Sequence, residues 1–270
     1  MSNNQALATL QDWALQPMEV VRLHAPELVQ HPSVKHWDNE HELVLIPGGW
    51  SGISKEIALS LVKKGVRVVV LDIQEPAFAQ GFYHADVTFS ESFHAAATKI
   101  RAEHGHPTVL LNNANAGKNS PLLEKSEARF RQYHGRVVAI ASMTSLVSLG
   151  RSIDYCCSKA SALAFHEGLR QELSIWYDAP KVRTSIFLPS WVRTPMTKRL
   201  TSAGEERFKQ PLLEPEVVAE AVVKQVLAQR GGQIILAGNR FVVSLLRACP
   251  YWMQRGLTAA ADKELKAVHD

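Results

Sequence analysis

The sequence predicts an α/β fold, a single domain in which one doubly wound parallel sheet is covered by helices on both faces. Apolar runs recur along the chain as LVLIP, VRVVVLD, PTVLLNNA, RVVAIA and KVRTSIFLP, and they are continuous rather than alternating. Strands of that composition are buried on both faces, as in parallel sheets. Segments with helical periodicity separate the runs, and no internal repeat or linker divides the chain.

The elements follow one another in a regular order within residues 41–240, which we expect to form the main domain. A helix over IALSLVKKG is predicted to end at Gly65, because glycine is common directly after a helix. The second strand ends at Asp72, FYHADV forms a short third strand, and Ser90 is expected to cap the next helix. Beyond RVVAIA we expect a helix, a strand, a helix that Pro215 begins, and a last strand, QIILAG.

Two terminal segments flank this domain. Residues 1–40 are predicted to be an N-terminal appendage, and residues 241–270 a C-terminal helical tail of the same domain. The tail is apolar and basic, and two interpretations fit this composition. One is a lid over a substrate pocket, which we favour, and the other is an interfacial helix on a membrane or lipid droplet. In the interfacial arrangement Arg247 and Arg255 lie at the edge, and one side of the helix carries Phe241, Leu245, Leu246, Trp252 and Met253.

Composition and charge argue against several classes of function. The 270 residues carry a net charge of +4 without a basic run, so nucleic-acid binding is not expected. Two of the three cysteines are adjacent on a predicted helix and none has metal-ligand spacing, which favours a reduced intracellular protein with no structural disulfides and no metal site. We expect no signal peptide, because the first forty residues carry no apolar core segment, and no apolar run reaches membrane-spanning length. We therefore expect a cytoplasmic location, with peripheral contact to a membrane or lipid droplet left open.

A glycine-rich turn between the first strand and the first helix predicts a phosphate-binding site. The turn consists of Gly48, Gly49, Trp50, Ser51, Gly52 and Ile53. Glycines let the backbone approach a pyrophosphate, and the helix behind them offers free N–H groups and the positive end of a dipole. In this context the turn is typical of a Rossmann-like fold that binds a nicotinamide dinucleotide. A purely structural glycine-rich turn is the alternative.

The acidic residue that ends the second strand indicates which dinucleotide is bound. Asp72 follows Gly52 by twenty residues, the separation at which an acidic side chain accepts the ribose hydroxyls in such folds. Its charge would repel a 2′-phosphate, so NAD is favoured and NADP is left open. Further candidates follow the next two strands. Asp86 and Val87, after the third strand, are expected on the adenine side of the cofactor, and Asn113, after the fourth, is expected to brace adjacent strands. Each of these also has an ordinary turn interpretation.

Ser142, Tyr155 and Lys159 form the candidate catalytic group. Tyr155 and Lys159 lie one turn apart on a predicted helix, and the ammonium is expected to lower the pKa of the phenol. Ser142 follows the strand RVVAIA, at the edge where open α/β sheets bind ligands. Taken alone, these residues would also fit a solvated helix face and a turn serine.

In this order the motifs resemble those of the short-chain dehydrogenase/reductase family over residues 40–250, and the tail is similar to the branch of retinol and hydroxysteroid dehydrogenases. The segment PSWVRT, which contains Val192 and Thr194, resembles the nicotinamide loop of the family. The resemblance implies that Tyr155 exchanges a proton with the substrate and that Lys159 lowers its pKa and holds the nicotinamide ribose. It also implies that Ser142 orients the substrate oxygen, while Val192 and Thr194 contact the carboxamide side.

The implied function is hydride transfer between a nicotinamide cofactor and a small lipophilic secondary alcohol or ketone. The chain also departs from the family pattern, because Pro47 replaces a threonine and Ser54, Asn115 and Ser190 replace glycines. Segment 114–134 is too short for the usual long helix, which carries an asparagine of the catalytic tetrad and much of the homodimer surface. Two alternatives are therefore a nucleotide-binding protein without turnover and a truncated or mis-annotated gene product. A homodimer would be weakened because the helix that carries much of its surface is missing.

Overall fold

A computed structural model describes residues 37–74, 81–87, 89–113, 135–177, 179–198, 210–238 and 240–269. Its strands are β1 (Leu43–Pro47), β2 (Arg67–Asp72), β3 (Phe82–His84), β4 (Val109–Asn112), β5 (Arg136–Ile140), β6 (Arg183–Pro189) and β7 (Gly232–Leu236). They form one sheet in the order β3-β2-β1-β4-β5-β6-β7, and all of its pairings are parallel. The predicted single-domain α/β fold with a doubly wound parallel sheet is confirmed.

Helices cover both faces of the sheet. They are α1 (Gly52–Lys63), α2 (Ser90–His104), α3 (Ile153–Gln171), α4 (Pro215–Leu227), α5 (Arg240–Leu246) and α6 (Tyr251–His269), and a π-helical turn at Glu172–Trp176 extends α3. Alternate residues of β1 show the two layers, because Val44 and Ile46 pack with α1 and α4, whereas Leu43 and Leu45 pack with α2. Helix α3 packs through Leu163 beside β6. This two-faced burial explains why the strand sequences are continuously apolar.

The strand order places a crevice at the carboxyl end of β1. The chain runs outward from β1 through β2 to β3 and then returns to β4 on the other side of β1. The connections after β1 and β4 therefore leave the sheet in opposite directions, and ligands of open α/β sheets bind at such a switch point. Gly48 follows β1 and Asn113 follows β4, so both residues lie at this crevice.

The predicted helix ends are confirmed at two places and wrong at one. Gly65 has a φ of 75° just after α1, where its N–H donates to the Val62 carbonyl at 2.9 Å, and Pro215 is the first residue of α4. Ser90 does not cap α2 but is its first residue, because the Phe89 carbonyl already accepts the first helical hydrogen bond. Residues 1–36 and the shortened segment 114–134 lie outside the described residues.

The C-terminal tail forms two helices that hold the loop after β5. Arg247 donates from Nε and Nη2 to the carbonyls of Leu146 and Ser145, each at 3.0 Å, and Asp262 accepts from the Gly150 N–H at 2.7 Å. The apolar side predicted for an interfacial tail is wrong in part, because Leu246 is buried while Leu245 is exposed. Phe241, whose side chain was expected on the same side, lies outside the described side chains.

Within the described ranges, none of the helices combines the length and the apolar character that crossing a bilayer requires.

Candidate active site

The glycine turn after β1 adopts a conformation that depends on its glycines. Gly48 and Gly52 have φ values of 64° and 50°, in the left-handed region that favours glycine. A Cβ atom on Gly49 would lie 2.8 Å from both the Ile46 carbonyl oxygen and Val70 Cγ1, which is closer than packing allows. The turn is fixed to β2 because the Gly48 N–H donates to the Leu71 carbonyl at 2.7 Å.

Helix α1 presents its N-terminus at this turn. Ser51 is the N-cap residue, with φ −136° and ψ 152°, and its side chain makes no capping hydrogen bond. The N–H groups in the first turn of a helix have no intrahelical partner, so those of Gly52 and Ile53 are available to an anion. Lys55, which follows in the first turn, lies with Nζ 5.6 Å from the centroid of the Trp50 ring. These groups fit the pyrophosphate of a dinucleotide.

Asp72 connects the glycine turn to the end of β2. One carboxylate oxygen accepts from the Trp50 N–H at 2.9 Å, and the other accepts from the Gln74 N–H at 3.0 Å. Each oxygen keeps a further lone pair, so the side chain can still accept from a ribose hydroxyl. Asp72 is therefore an anchor for the turn as well as the candidate cofactor-selecting residue, a structural role that its sequence spacing does not reveal.

Asn113 ties the end of β4 to α1 rather than to a neighbouring strand. Its Nδ2 donates a short hydrogen bond to Ser54 Oγ, and Ser54 is 0% exposed. The residue that replaces the last glycine of the family pattern thus supplies the acceptor for this amide. On the adenine side, Asp86 begins the turn into α2, since its N–H donates to Ser92 Oγ at 3.2 Å, and Val87 follows it.

Ser142, Tyr155 and Lys159 come together at the carboxyl end of β5. Ser142 is buried in extended backbone, and its Oγ accepts from the Thr144 N–H at 3.2 Å. Tyr155 and Lys159 face the same way on α3, with Lys159 Nζ 5.5 Å from the centroid of the Tyr155 ring. The three side chains that the sequence separates by 17 positions therefore lie in one cluster.

The electrostatics of this cluster differ from the expectation in one respect. Burial raises the pKa of Tyr155, and the hydrogen bond with Ser142 lowers it by less than burial raises it. Burial also lowers the pKa of Lys159, whose Nζ donates to the Ile140 carbonyl at 3.2 Å. The expected net lowering of the Tyr155 pKa by Lys159 is wrong for this arrangement, because desolvation of the phenolate dominates.

The loop after β6 approaches the glycine turn. Val192 pairs in parallel with Leu213 and is buried, which fixes the start of the loop. Thr194 Cγ2 would lie 3.4 Å from a Cβ atom on Gly52, so this side chain lies directly against the turn. The loop predicted to contact the carboxamide side thus lies beside the N-terminus of α1.

Comparison with known proteins identifies the family. Residues 42–134 and 130–205 match the family model described as short chain dehydrogenase. This chain belongs to the short-chain dehydrogenase family. The members of this family are oxidoreductases that act on CH–OH groups. The cluster of Ser142, Tyr155 and Lys159 at the end of β5 is the candidate active site of this chain. The two matched segments overlap at residues 130–134, at the end of the short segment 114–134.

Several relatives of this short-chain dehydrogenase are known by sequence. Dehydrogenase RED2 of Cochliobolus heterostrophus is 32% identical over 57% of this chain and 69% of its own length. Human estradiol 17-beta-dehydrogenase 11 is 28% identical over 77% of this chain and 79% of its own length. Mouse epidermal retinol dehydrogenase 2 is 25% identical over 70% of this chain and 72% of its own length. The predicted resemblance to the retinol and hydroxysteroid dehydrogenase branch is confirmed.

Solved structures agree on the fold. The ligand-free aldohexose dehydrogenase of Thermoplasma acidophilum matches with a TM-score of 0.60 at 20% identity, over 74% of this chain and 94% of that one. A short-chain dehydrogenase of Burkholderia cenocepacia in complex with NADP matches with a TM-score of 0.59 at 20% identity, over 81% of this chain and 96% of that one.

Arg247 and Asp262 make contacts with the loop after β5 that the sequence does not predict. Arg247 reaches across 101 residues to Leu146, and Asp262 across 112 residues to Gly150. The only signal in the sequence was the basic character of the tail, which gave no partner for either side chain.

Proposed function

We propose that this short-chain dehydrogenase transfers a hydride between a nicotinamide dinucleotide and a lipophilic secondary alcohol or ketone, with Ser142, Tyr155 and Lys159 as its catalytic residues. The observation that carries the proposal is the cluster itself, in which a half-buried phenol and an ammonium lie on the same face of α3, near Ser142 at the end of β5. The names of the relatives refer to estradiol and retinol, which are lipophilic alcohols, and this supports the substrate class.

Each residue of the cluster has a distinct task in this proposal. When bound, the nicotinamide accepts or donates the hydride. Tyr155 transfers the proton to or from the substrate oxygen, and Ser142 Oγ orients that oxygen beside the phenol. Because burial raises its pKa, Tyr155 is protonated near neutral pH, which is the form that donates a proton to a ketone. Lys159 would hold the nicotinamide ribose, with Val192 and Thr194 on the carboxamide side.

We infer that NAD is preferred over NADP. The Asp72 carboxylate lies at the end of β2 beside the glycine turn, where it can accept from the ribose hydroxyls and repel a 2′-phosphate. Lys55 lies next to the same turn and would offset part of that repulsion, so we expect a preference rather than an exclusion.

A nucleotide-binding protein without turnover is the second candidate. It is favoured by the hydrogen bond that Lys159 Nζ donates to the Ile140 carbonyl, which already engages the ammonium, and by the shortness of segment 114–134. Saturable binding of NADH without turnover of any secondary alcohol or ketone would establish this candidate and overturn the first.

We also propose that the protein contacts membrane or lipid-droplet surfaces from the cytoplasmic side. Tyr251 and Trp252 at the start of α6 are 77% and 74% exposed, which supports contact with an interface. Cosedimentation with liposomes tests this, and Trp252→Ser should reduce the bound fraction. Equal binding of the variant and the wild type would contradict a role for this surface.

The central experiment separates cofactor binding from chemistry. Titration with NADH and NADPH, followed by nicotinamide fluorescence, measures binding, and initial rates on lipophilic alcohols and ketones measure turnover. We expect Tyr155→Phe to lower kcat/KM by about a hundredfold or more, because it removes the proton-transfer group, and to leave NADH binding largely intact. Tyr177→Phe, which removes a phenol oxygen elsewhere, is the matched control. A Tyr155→Phe variant as active as wild type would refute the assignment.

A further inference from the structure

A cleft of about 420 Å³ lies between the loop after β5 and the two helices of the tail. Its lining residues are Leu146, Val147, Ser148, Leu246, Arg247, Tyr251, Gln254, Arg255 and Thr258. The loop begins directly after Ser142, and its far end contacts α3, because the Leu149 N–H donates to Cys156 Sγ at 3.4 Å. Cys156 is the neighbour of Tyr155, so the loop that forms one wall of the cleft also borders the candidate active site.

The lining combines apolar and cationic side chains. Leu146 and Val147 supply a half-exposed apolar surface, and the buried Leu246 lies beneath it. Arg247 and Arg255 supply two guanidinium groups, and none of the lining residues is acidic. A surface of this composition suits a molecule that has both an apolar chain and a negative group.

The two arginines are used differently. The Arg247 guanidinium is held by the carbonyls of Ser145 and Leu146, so it fixes the wall of the cleft. Arg255 is exposed, and its guanidinium has no hydrogen-bond or ion-pair partner among the described residues. Asp262, the acid nearest to it in sequence with a described side chain, accepts from the Gly150 N–H. Arg255 is therefore the group in the lining that can pair with a ligand.

We propose that this cleft binds the anionic end of an amphiphilic substrate. The carboxylate or phosphate pairs with the Arg255 guanidinium, which presents N–H donors in a planar arrangement that suits both groups. The apolar chain lies along Leu146, Val147 and Leu246 and extends toward Ser142. This inference rests on the proposed function, because it identifies the substrate class of the same site.

The test compares a medium-chain oxo-fatty acid with its methyl ester, which has the same chain and no negative charge. In the wild type we expect the acid to have the higher kcat/KM. In Arg255→Gln the ratio of acid to ester should fall by about two- to fivefold, the range for one exposed ion pair. Lys263→Gln is the matched control, because Lys263 is an exposed cation about two turns away on α6 that does not line the cleft.

The outcomes separate this inference from the proposed function. Turnover of the ester by the wild type supports the proposed function whatever the ratio, and an absence of turnover of the ester and of every other secondary alcohol or ketone contradicts that function. An acid-to-ester ratio that is the same in Arg255→Gln and the wild type overturns the inference. An equal fall of the ratio in Lys263→Gln also overturns it, because the effect would then come from the overall charge.

Two competitive inhibitors identify the negative group. An alkanoic acid and an alkyl phosphate of equal chain length are measured against the ester, with wild type and Arg255→Gln. The inhibitor whose Ki rises in the variant carries the group that Arg255 recognises, and a rise for both supports a site for either anion. Unchanged Ki values for both inhibitors overturn the inference.

Discussion

Replacement of Asp72 tests whether one carboxylate both anchors the glycine turn and selects the cofactor. Asp72→Ala removes the acceptors of the Trp50 and Gln74 N–H groups, which are bonded at 2.9 Å and 3.0 Å. Since Asp72 is partly exposed, each bond is worth about 1 kcal/mol, so the free energy of unfolding should fall by about 2 kcal/mol. For a protein of this size that lowers Tm by about 4–8 °C.

Asp72→Asn separates the two roles, because it keeps one acceptor oxygen and removes the charge. We expect about half the loss of stability and a clear gain in NADPH affinity relative to NADH. Asp72→Ala also removes the charge, but its loosened turn should bind both dinucleotides more weakly than Asp72→Asn does. Thermal unfolding and fluorescence titration with each dinucleotide measure these effects, with Glu220→Gln on the exposed side of α4 as the charge control.

Two results would refute this reasoning. If Asp72→Ala unfolded at the wild-type temperature, the two hydrogen bonds would not stabilise the turn. If the ratio of NADH to NADPH affinity stayed the same in both variants, Asp72 would not face the ribose.

Four further predictions follow from single contacts. Gly49→Ala places a Cβ atom 2.8 Å from a main-chain oxygen of β1, so we expect a loss of about 1–3 kcal/mol in unfolding free energy, and wild-type stability would contradict the packing. Asn113→Ala leaves the buried Ser54 hydroxyl without its donor and should lower the free energy of unfolding by about 1–3 kcal/mol, as measured by urea unfolding. The double variant with Ser54→Ala should recover part of that loss. Because burial raises the pKa of Tyr155, kcat/KM for alcohol oxidation should still rise with pH near about 10, and a profile that levels off below about pH 9 would contradict this. Burial, with a smaller effect of a nearby arginine, lowers the pKa of His166 from 6.5 to about 4. The unfolding free energy should therefore fall by about 2 kcal/mol between pH 7 and pH 5. His166→Gln should remove this contribution to the dependence of unfolding free energy on pH.

The sign of the His166 effect follows from proton binding. Between the two pKa values the unfolded chain holds a proton on this histidine and the folded protein does not, so lowering the pH favours the unfolded state. The stability is therefore fully present above the unfolded pKa of 6.5 and is lost as the pH falls toward about 4. An identical pH slope in His166→Gln and the wild type would show that other groups are responsible.

The sequence by itself determined the order of the strands and helices, the glycine turn and the spacing of Tyr155 and Lys159. These features depend on short-range regularities, namely helical periodicity, continuous apolar strands and glycines at positions of positive φ, as at Gly48 and Gly52. It also indicated that Asp72 ends a strand near the turn, because the family spacing is local to one βαβ unit.

The tertiary structure decided how the candidate site is held and charged. Asn113 donates to Ser54 across 59 residues of sequence, and Arg247 donates to Leu146 across 101. The sequence around neither residue indicates which group it binds. The pKa of Tyr155 also required the structure, because two opposing effects act on the phenol and only its degree of burial shows which is larger. Spacing along a helix fixes which side chains are neighbours, whereas desolvation and long-range hydrogen bonds depend on how the whole chain packs around them.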